Sequence, residues 1–248
     1  MRYAGKRVVV VGGGAGLGRA IARGFAREGA VVGVVGRTPE TLAATVGELA
    51  GEGHLAVPGD VTDAAGIDAA IARVAERLGG LDVAVNTAGT FTNGTAADAD
   101  PDAVARMLET NVLGTWLAMR AEVPLLEADG GGVVINFSSN IGAHRARPAL
   151  GAYGASKAAV SAMTRSAALD HIDAGVRICA ISPGPSDTTM SIRPGETRAD
   201  RDARVASQIP VGRVAALDEI TEAALYLASD AAAYCVGTDL VIDGGAAA

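Results

Sequence analysis

Seven short, uninterrupted apolar runs alternate along the chain with segments that are long enough to form helices. Valine-rich runs of this kind are typical of strands that are covered on both faces, as in parallel sheets. Each return to a parallel strand needs a right-handed crossover, which the helical segments can supply. The chain is therefore predicted to form an α/β fold, with one doubly wound parallel sheet of seven strands and helices on both faces. The predicted strands are 7–11, 30–35, 54–57, 81–86, 132–137, 176–181 and 238–243, and the predicted helices are 17–28, 39–50, 64–79, 101–128, 151–173 and 217–229.

Local signals mark helix boundaries, and nothing marks a domain boundary. Asp100 before Pro101 predicts an N-cap followed by proline at the first helical position. Pro124 should bend or end the long helix at 101–128. No repeat, low-complexity linker or change in composition divides the 248 residues, so a single domain, 1–248, is expected.

The longest stretch without a clear pattern runs from Pro183 to Leu217 and is rich in proline, glycine and alternating charge. A segment this long inside a compact domain is usually functional or disordered. We interpret it as a partly helical lid over an active site, at about residues 184–215. The alternative is a charged helix on the solvent-exposed surface.

The net charge and the two cysteines bear on which macromolecules the protein binds and in which compartment it occurs. A net charge of −7 leaves no broad basic surface, so no nucleic acid or membrane partner is expected, although a local basic patch stays possible. Cys179 and Cys235 lie far apart in apolar surroundings, which favours two free thiols in a reducing compartment. The first apolar run is too short for export, so a cytoplasmic protein is expected.

Five glycines are concentrated between the first predicted strand and the first predicted helix, in VGGGAGLGRA. Gly12 would permit a tight turn, Gly16 would let the backbone approach a pyrophosphate, and Gly18 would allow close packing of helix on strand. The helix N-terminus would supply amide donors and a positive dipole. The strand, turn and helix together predict a dinucleotide-binding site.

The end of the second strand bears on which dinucleotide binds. Gly36 stands where a carboxylate would bind the adenosine ribose in a site that prefers NAD, and Arg37 follows it. An arginine attracts a 2′-phosphate, whereas a carboxylate repels it. The pattern favours NADP(H), with NAD(H) as the alternative; a solvated loop arginine is the structural alternative for Arg37.

Tyr153 and Lys157 are four residues apart at the start of a predicted helix, so their side chains lie on one face. A phenol is a poor base at neutral pH, but a nearby cation stabilises the phenolate and lowers its pKa. Such a pair can pass a proton to or from a substrate oxygen. No spacing of histidine, cysteine or carboxylate residues predicts a metal site.

At this point the whole chain resembles the short-chain dehydrogenase/reductase family. The motifs that carry the resemblance occur in the family's order: the glycine turn, GDV, NTAG, TNVLG, INFSS, YGASK, SPGPSDT and VIDGG. The resemblance implies a Rossmann fold. It also implies that Tyr153 is the catalytic acid/base, that Lys157 lowers its pKa and binds the nicotinamide ribose, and that Ser139 orients the substrate oxygen. Asn111 would hold a water that links Lys157 to solvent.

The resemblance also assigns the cofactor contacts. Asp60 and Val61 would touch adenine, Asn86 and Gly89 would line the cleft, and Thr188 would grip the carboxamide. The full set of cofactor-binding positions it implies is Gly12, Gly14, Gly16, Leu17, Gly18, Arg37, Asp60, Val61, Asn86, Ala88, Gly89, Tyr153, Lys157, Pro183, Gly184, Ser186 and Thr188.

Three residues depart from the family pattern, all in supporting positions. Val11 replaces a threonine whose hydroxyl helps to tie the glycine turn, Ser182 replaces an asparagine, and Ser186 stands where an aliphatic residue is common. These departures affect the detail of the cofactor loops more than the catalytic residues.

The implied reaction is reversible reduction of a ketone or aldehyde to an alcohol, with hydride from the cofactor and a proton from tyrosine. One alternative is a 3-oxoacyl thioester reductase acting on an acyl carrier protein, which would need a basic patch near the cleft. Another is a dinucleotide-binding regulator without chemistry, although such a protein has no need of the four catalytic residues. His144, Arg145 and Arg147 could face an acidic substrate or be exposed loop charges.

The resemblance further suggests a homotetramer, or a homodimer, built through the helices at 101–128 and 151–173 and the C-terminal strand region. The identity of the small-molecule substrate is expected to depend on the loops at 90–100, 140–150 and 184–215.

Overall fold

The structure, a computed structural model, describes residues 1–248 and contains one seven-stranded parallel sheet flanked by eight α-helices. No helix is both long enough and apolar enough to cross a membrane. The strands are β1 (Arg7–Val11), β2 (Val31–Gly36), β3 (Leu55–Pro58), β4 (Val83–Asn86), β5 (Gly132–Phe137), β6 (Val176–Pro183) and β7 (Asp239–Ile242). The helices are α1 (Gly16–Arg27), α2 (Pro39–Gly47), α3 (Ala64–Leu78), α4 (Pro101–Leu108), α5 (Gly114–Ala128), α6 (Gly151–His171), α7 (Arg198–Ala206) and α8 (Leu217–Ala228).

The strands are ordered β3-β2-β1-β4-β5-β6-β7, and every pair is parallel. The chain first builds outward from β1 to β3, then returns to the other side of β1 and builds outward to β7. The direction of winding therefore reverses between β1 and β4. In open α/β sheets a ligand binds beyond the carboxyl ends of the strands at this point. The predicted doubly wound fold is confirmed.

Both faces of the sheet are buried, as the uninterrupted apolar runs predicted. Val8 and Val10 of β1 belong to one apolar cluster, which contains α1 and α8. Val9 and Val11 belong to a second cluster, formed with α3 and α5. Because side chains alternate along a strand, this division assigns one cluster to each face of the sheet.

The predicted helix at 101–128 is divided in two by a π-helical turn at Glu109–Leu113. The Asp100 side chain accepts a hydrogen bond from the backbone N–H of Asp102, as expected of an N-cap. Of the two effects expected of Pro124, a bend or an end of the helix, the second does not occur, because Pro124 lies inside α5 and the helix continues to Ala128. Burial of Val123 and Leu126 beside the proline offsets the hydrogen bond that it cannot make.

The segment interpreted from the sequence as a lid, residues 184–215 and called the lid segment below, is partly helical. It contains a short 3₁₀ turn at Thr189–Ser191 and the helix α7. Arg201 of α7 is only 2% exposed and donates hydrogen bonds to Asp187, Ser191 and Asp202. Helix α7 therefore has an inward-facing side, and its position is fixed by polar contacts rather than by a large apolar face.

Candidate active site

The glycine turn follows β1 at the point where the winding direction reverses. Gly12 has φ +85°, which is favourable only for glycine, and so allows the tight turn. A Cβ atom on Gly18 would lie 2.3 Å from the carbonyl oxygen of Gly12. A Cβ atom on Gly16 would lie 3.5 Å from Thr188 Cγ2, with no other protein atom closer. Gly18 thus allows helix and turn to touch, whereas Gly16 leaves open space between α1 and Thr188.

The N-terminus of α1 fits the pyrophosphate of a dinucleotide. Ala15 at the N-cap has no side chain that could satisfy the first amides, and the first turn carries no acidic residue. The free N–H groups and the positive end of the helix dipole therefore face the open space at Gly16. These features make the turn suitable for a negatively charged group of the size of a phosphate.

Two contacts that the sequence analysis missed hold this turn in place. Arg19 donates from Nη2 to the carbonyl oxygen of Gly14 at 2.7 Å. A Cβ atom on Gly14 would lie 2.7 Å from Thr41 Oγ1, so this glycine also permits close packing against α2. Thr87 Oγ1 donates to the carbonyl oxygen of Val11 at 2.8 Å. Thr87 thereby supplies the hydroxyl tie that Val11, in place of threonine, cannot provide.

The ends of β2 and β3 form the side of the site predicted to hold the adenosine ribose. Arg37 is exposed and makes no ion pair or hydrogen bond with the protein. Asp60 accepts hydrogen bonds on Oδ1 from the backbone and hydroxyl of Thr62, at 3.0 and 2.9 Å. Its Oδ2 atom has no protein partner. A free guanidinium and a free carboxylate oxygen therefore remain at this edge, where Gly36 is the last residue of β2 and Arg37 follows it.

Three predicted cofactor positions, Val61, Asn86 and Ala88, line one small pocket together with Val11. Asn86 is only 3% exposed, and its side-chain amide is held by contacts within the protein. Its Nδ2 atom donates to Glu122 Oε2 at 2.9 Å and to Asn136 Oδ1 at 3.0 Å. The amide is used to join β4, β5 and α5 beneath the site.

Glu122 is a fully buried carboxyl group that the sequence analysis did not single out. Burial raises its pKa from 4.5 to about 7, and the hydrogen bond from Asn86 opposes the rise. Glu122 Oε1 and Asn86 Oδ1 are both buried without a hydrogen-bond partner. Both atoms are acceptors while Glu122 is ionised, but a proton on Glu122 would turn one of them into a donor. The pair is therefore better satisfied when Glu122 is neutral. Its spacing from Ala118, Met119 and Leu126 on the apolar face of α5 could have indicated this burial.

Tyr153 and Lys157 lie on α6, one turn apart, and both are buried. Lys157 Nζ donates to the carbonyl oxygen of Phe137, at the end of β5, at 2.8 Å. Burial lowers the pKa of Lys157 to about 8. An ammonium group has three donors, so two remain for another partner at this edge.

The pKa of Tyr153 is raised by burial, and an interaction with the Ser139 hydroxyl opposes the rise. The sequence analysis expected Lys157 to lower this pKa, but its ammonium bonds to Phe137 instead. The ring of Phe91 packs edge-on against Tyr153, with ring centroids 5.0 Å apart. Phe91 is partly exposed and was not predicted; it forms an apolar wall over the phenol.

Two adjacent serines follow β5, and their contacts differ. Ser138 Oγ donates to the carbonyl oxygen of Lys157 at 2.8 Å and pairs with Ser161. Ser139 Oγ instead accepts a hydrogen bond from the backbone N–H of Ile141. Its hydroxyl also interacts with the Tyr153 phenol and opposes the rise in the pKa of that phenol. The structure therefore brings Ser139, and not Ser138, to the phenol.

Asn111 lies in the π-helical turn and is completely buried. Its Nδ2 atom donates to the carbonyl oxygen of Thr90 at 2.9 Å and to Ser156 Oγ at 3.1 Å, while Oδ1 accepts from the N–H of Thr90. A Cβ atom on Gly89 would lie 3.3 Å from Asn111 Oδ1 and 3.5 Å from Lys157 Nζ. Asn111, Gly89 and Lys157 are thus neighbours, as the predicted roles require.

The end of β6 leads into the lid segment. A Cβ atom on Gly184 would lie 2.7 Å from Asp243 Cα, so this glycine allows β6 to approach β7. Ser186 Oγ donates to the carbonyl oxygen of Gly184 at 3.1 Å, and Thr188 follows opposite Gly16. The backbone from Pro183 to Thr188 therefore crosses in front of the glycine turn.

The carboxylate of Asp239, in β7, makes polar contacts with side chains from three other segments. Ser182 Oγ, at the position of the missing asparagine, donates to Oδ1 at 2.6 Å, and Ser161 Oγ donates to Oδ2. His144 Nε2 lies 2.9 Å from the same Oδ2 atom. The suggestion that His144 faces the substrate is therefore not supported, because its imidazole fastens the loop at 140–150 to β7.

Comparison with known proteins bears on this arrangement. Residues 12–247 match the sequence profile of a family described as enoyl-(acyl carrier protein) reductase. The crystal structure of a short-chain type dehydrogenase/reductase from Mycobacterium marinum superimposes with a TM-score of 0.90 and 33% identity, over 98% of this chain and 96% of that one. The chain belongs to the short-chain dehydrogenase/reductase family.

Curated short-chain dehydrogenase/reductase relatives span the chain from end to end. The 2,5-dichloro-2,5-cyclohexadiene-1,4-diol dehydrogenase LinX of Sphingobium indicum is 40% identical, covering 98% of this chain and 97% of its own. The sorbitol dehydrogenase of Cereibacter sphaeroides is 34% identical, over 99% and 98% of the two chains. The protein is accordingly a short-chain NAD(P)-dependent oxidoreductase that acts on CH–OH and C=O groups.

Proposed function

We propose that this enzyme interconverts a ketone or aldehyde and the corresponding alcohol, with NADP(H) as cofactor and Tyr153 as the acid/base. The observation that carries the proposal is the meeting of Tyr153, Ser139 and Lys157 beside the uncapped N-terminus of α1. The bound cofactor supplies the hydride. The chain must then bind the cofactor, orient the substrate oxygen and move one proton.

Each residue of the site has a part in that proton transfer. The Tyr153 phenol donates its proton to the substrate oxygen during reduction and accepts it during oxidation. Ser139 holds the same oxygen through its hydroxyl. Lys157 uses the donors left free by Phe137 to hold the nicotinamide ribose. Asn111 holds a water between Lys157 and solvent.

NADP(H) is favoured over NAD(H) because of the free guanidinium at Arg37. The end of β2 offers Gly36 where a ribose-binding carboxylate would exclude a 2′-phosphate. Arg37 is exposed and unpaired, so it can bind that phosphate without breaking a contact. The residues 184–215 act in this proposal as the substrate lid of a single catalytic domain.

We also propose a homotetramer, or at least a homodimer, built on the helices that the sequence analysis named. Leu108, Leu113 and Trp116 are exposed on the segment from α4 to α5, and Leu169 is exposed on α6. Burial of these side chains against a second copy would remove apolar surface from water.

The test is nicotinamide absorbance with purified enzyme, assayed with NADPH and NADH separately against ketones, aldehydes and 3-oxoacyl thioesters. Tyr153→Phe should bind NADPH normally and turn over about a thousandfold more slowly, because it cannot transfer the proton. Tyr234→Phe, at a fully exposed tyrosine, is the matched control and should leave turnover unchanged.

Wild-type turnover in Tyr153→Phe would refute the acid/base assignment. Equal affinity for NADH and NADPH would refute the cofactor preference alone. Binding of cofactor without turnover of any substrate class would favour a regulator.

A further inference from the structure

Two arginines lie between Ser139 and Tyr153 in the chain, in the loop at 140–150. Arg145 and Arg147 are both partly buried, and neither forms a salt bridge. The single polar contact of the Arg147 guanidinium is with the neutral side chain of Gln208, at 3.3 Å. Removing a guanidinium partly from water without a carboxylate partner is unfavourable.

Two more arginines approach from the lid segment. Arg204 of α7 binds both carboxylate oxygens of Glu196, one of them at 2.7 Å, and also the carbonyl oxygen of Ser191. Arg193 makes only a backbone contact with Glu196 and has no partner for its guanidinium. We call Arg145, Arg147, Arg193 and Arg204 the arginine cluster. Glu196 neutralises one of its four charges, and three are left without an acidic partner.

The concentration of positive charge is unfavourable for the folded protein. Burial, and then the charges of Arg145, Arg193 and Arg204, hold the pKa of Arg147 below its usual value. This happens in a chain whose net charge is −7 and in which surface arginines outside the cluster, such as Arg2, Arg198 and Arg213, pair with carboxylates. Groups held in an unfavourable charge environment are typical of binding sites, where a ligand supplies the missing charge.

The loop that carries Arg145 and Arg147 packs against the catalytic helix α6, and the Arg147 guanidinium reaches Gln208, just after α7. A Cβ atom on Gly142 would lie 2.8 Å from the carbonyl oxygen of Gly154 and 3.3 Å from Lys157 Cβ, so the loop rests directly on the catalytic turn of α6. The N–H of Leu150 bonds to the carbonyl oxygen of Arg147, just before α6 begins. On the opposite side, Arg193 follows Thr188, which lies over the glycine turn. An anion held between the two segments would lie beside the substrate.

We infer that the substrate of this enzyme is a small carbonyl or hydroxyl compound that carries an anionic oxygen group, a carboxylate or a phosphate, which the arginine cluster binds. Guanidinium groups recognise both groups through paired N–H donors. The inference rests on the proposed oxidoreductase function and names its substrate class. An acidic carrier protein is the less suitable partner, because Arg145 and Arg147 are partly buried at the entrance rather than displayed on a flat exposed surface.

The experiment compares substrates that share a carbonyl group and differ in charge: levulinate, its uncharged methyl ester, and a hydroxyketone phosphate of similar length. The wild-type enzyme should show kcat/KM at least tenfold higher for one or both anionic compounds than for the ester. Arg147→Gln and the triple variant Arg145→Gln/Arg147→Gln/Arg193→Gln should lose this preference and keep their rate with the ester. The loss should appear mainly in KM. Which anion is preferred distinguishes a carboxylate from a phosphate substrate.

Arg73→Gln, at an exposed and unpaired arginine of α3, is the matched control and should change neither rate. The variants should also melt at the same temperature as the wild type or higher, because they remove repulsion and no salt bridge. A lower melting temperature together with equal losses on all three compounds would mean that the cluster is structural, which would overturn the inference.

Two further outcomes separate this inference from the proposed function. Turnover of the ester at the same kcat/KM as the anions would leave the oxidoreductase proposal standing and overturn the inference. The same holds if the arginine variants impair only a thioester carried by an acyl carrier protein and not the free thioester. If no compound is turned over, binding of levulinate to the enzyme with NADPH is measured by calorimetry; binding that Arg147→Gln abolishes supports the inference although the proposed function has failed, and no binding overturns both.

Discussion

The cofactor side and the substrate side of the site are held in place by different kinds of contact. Around the glycine turn the structure depends on the absence of side-chain atoms: a Cβ atom at Gly12, Gly14 or Gly18 would collide with neighbouring atoms. Around the loop at 140–150 and the lid segment it depends on charged side chains, such as Arg201 and the ion pair of Arg204 with Glu196. The first side is fixed by shape and the second by charge.

This difference indicates how each side can change during evolution. Close backbone contacts tolerate almost no substitution, so the cofactor side keeps one ligand class. Ion pairs on loops can be exchanged with smaller cost, because their partners are partly exposed. The same sheet can therefore present new substrate sites without losing its dinucleotide.

Among substitutions that test this difference between the two sides, Gly18→Ala is expected to have the largest effect on stability. The added methyl group would lie 2.3 Å from the backbone oxygen of Gly12, which cannot move without opening the turn. We expect a loss of about 3 kcal/mol in the free energy of unfolding, together with weaker NADPH binding. Denaturant unfolding and cofactor titration measure the two effects.

Gly47→Ala in α2 is the matched control, because nothing lies within 4 Å of its added methyl group. That variant should gain a few tenths of a kcal/mol to about 1 kcal/mol. Equal stability of the two alanine variants would show that the turn is not held by shape.

Glu122, between the two sides, gives an effect of similar size that depends on pH. Its folded pKa of about 7 lies above its ordinary 4.5, so between these values the folded protein keeps a proton that the unfolded chain has released. Stability should therefore fall as pH rises from about 4.5 to 7, by about 3 kcal/mol in total. Glu122→Gln should remove this fall, because the amide supplies a permanent donor to the pair with Asn86.

Urea unfolding between pH 5 and 8 checks the prediction for Glu122. Glu76→Gln, at an exposed glutamate of α3, should retain the wild-type pH dependence. If Glu122→Gln also retains the wild-type pH dependence, Glu122 is ionised over the whole range from pH 5 to 8. The cofactor side would then tolerate a buried charge.

The smallest effect is expected at Arg37, the one charged residue assigned a cofactor contact at the end of β2. Arg37→Ala should weaken NADPH binding about tenfold, equivalent to about 1.4 kcal/mol, and leave NADH binding unchanged. Fluorescence titration with both cofactors measures the ratio, with Arg73→Ala as control. If Arg37→Ala weakens the binding of NADPH and NADH equally, Arg37 supports the structure of the site and does not bind the 2′-phosphate.

The parts of the molecule that sequence could predict are those where the signal is local. The valine runs and the glycine turn specify strands and a tight connection over a few residues, and the strands of the structure begin and end within two residues of the predicted bounds. The approach of Tyr153 to Lys157 follows from helical spacing.

The parts that could not be predicted depend on residues far apart in the chain. His144 and Asp239 are 95 residues apart, and no local pattern connects them. The lowered pKa of Arg147 results from burial and then from neighbouring charges. Two of these, Arg193 and Arg204, lie in a segment whose sequence shows no regular pattern. The π-helical turn at Glu109–Leu113 adds one residue to a helix turn without a recognisable composition. The pKa of Tyr153 depends on where the Lys157 ammonium is bonded, which spacing alone does not specify.

The contacts of β7 also affect the order in which the site is completed during synthesis. Asp239 fastens the loop at 140–150 through His144, and Asp243 accepts a hydrogen bond from Asn140, next to Ser139. The strands β1 to β4, with the glycine turn between them, leave the ribosome long before β7. The loop beside Ser139 is therefore fastened in its final position only after the seventh strand has emerged and paired with β6.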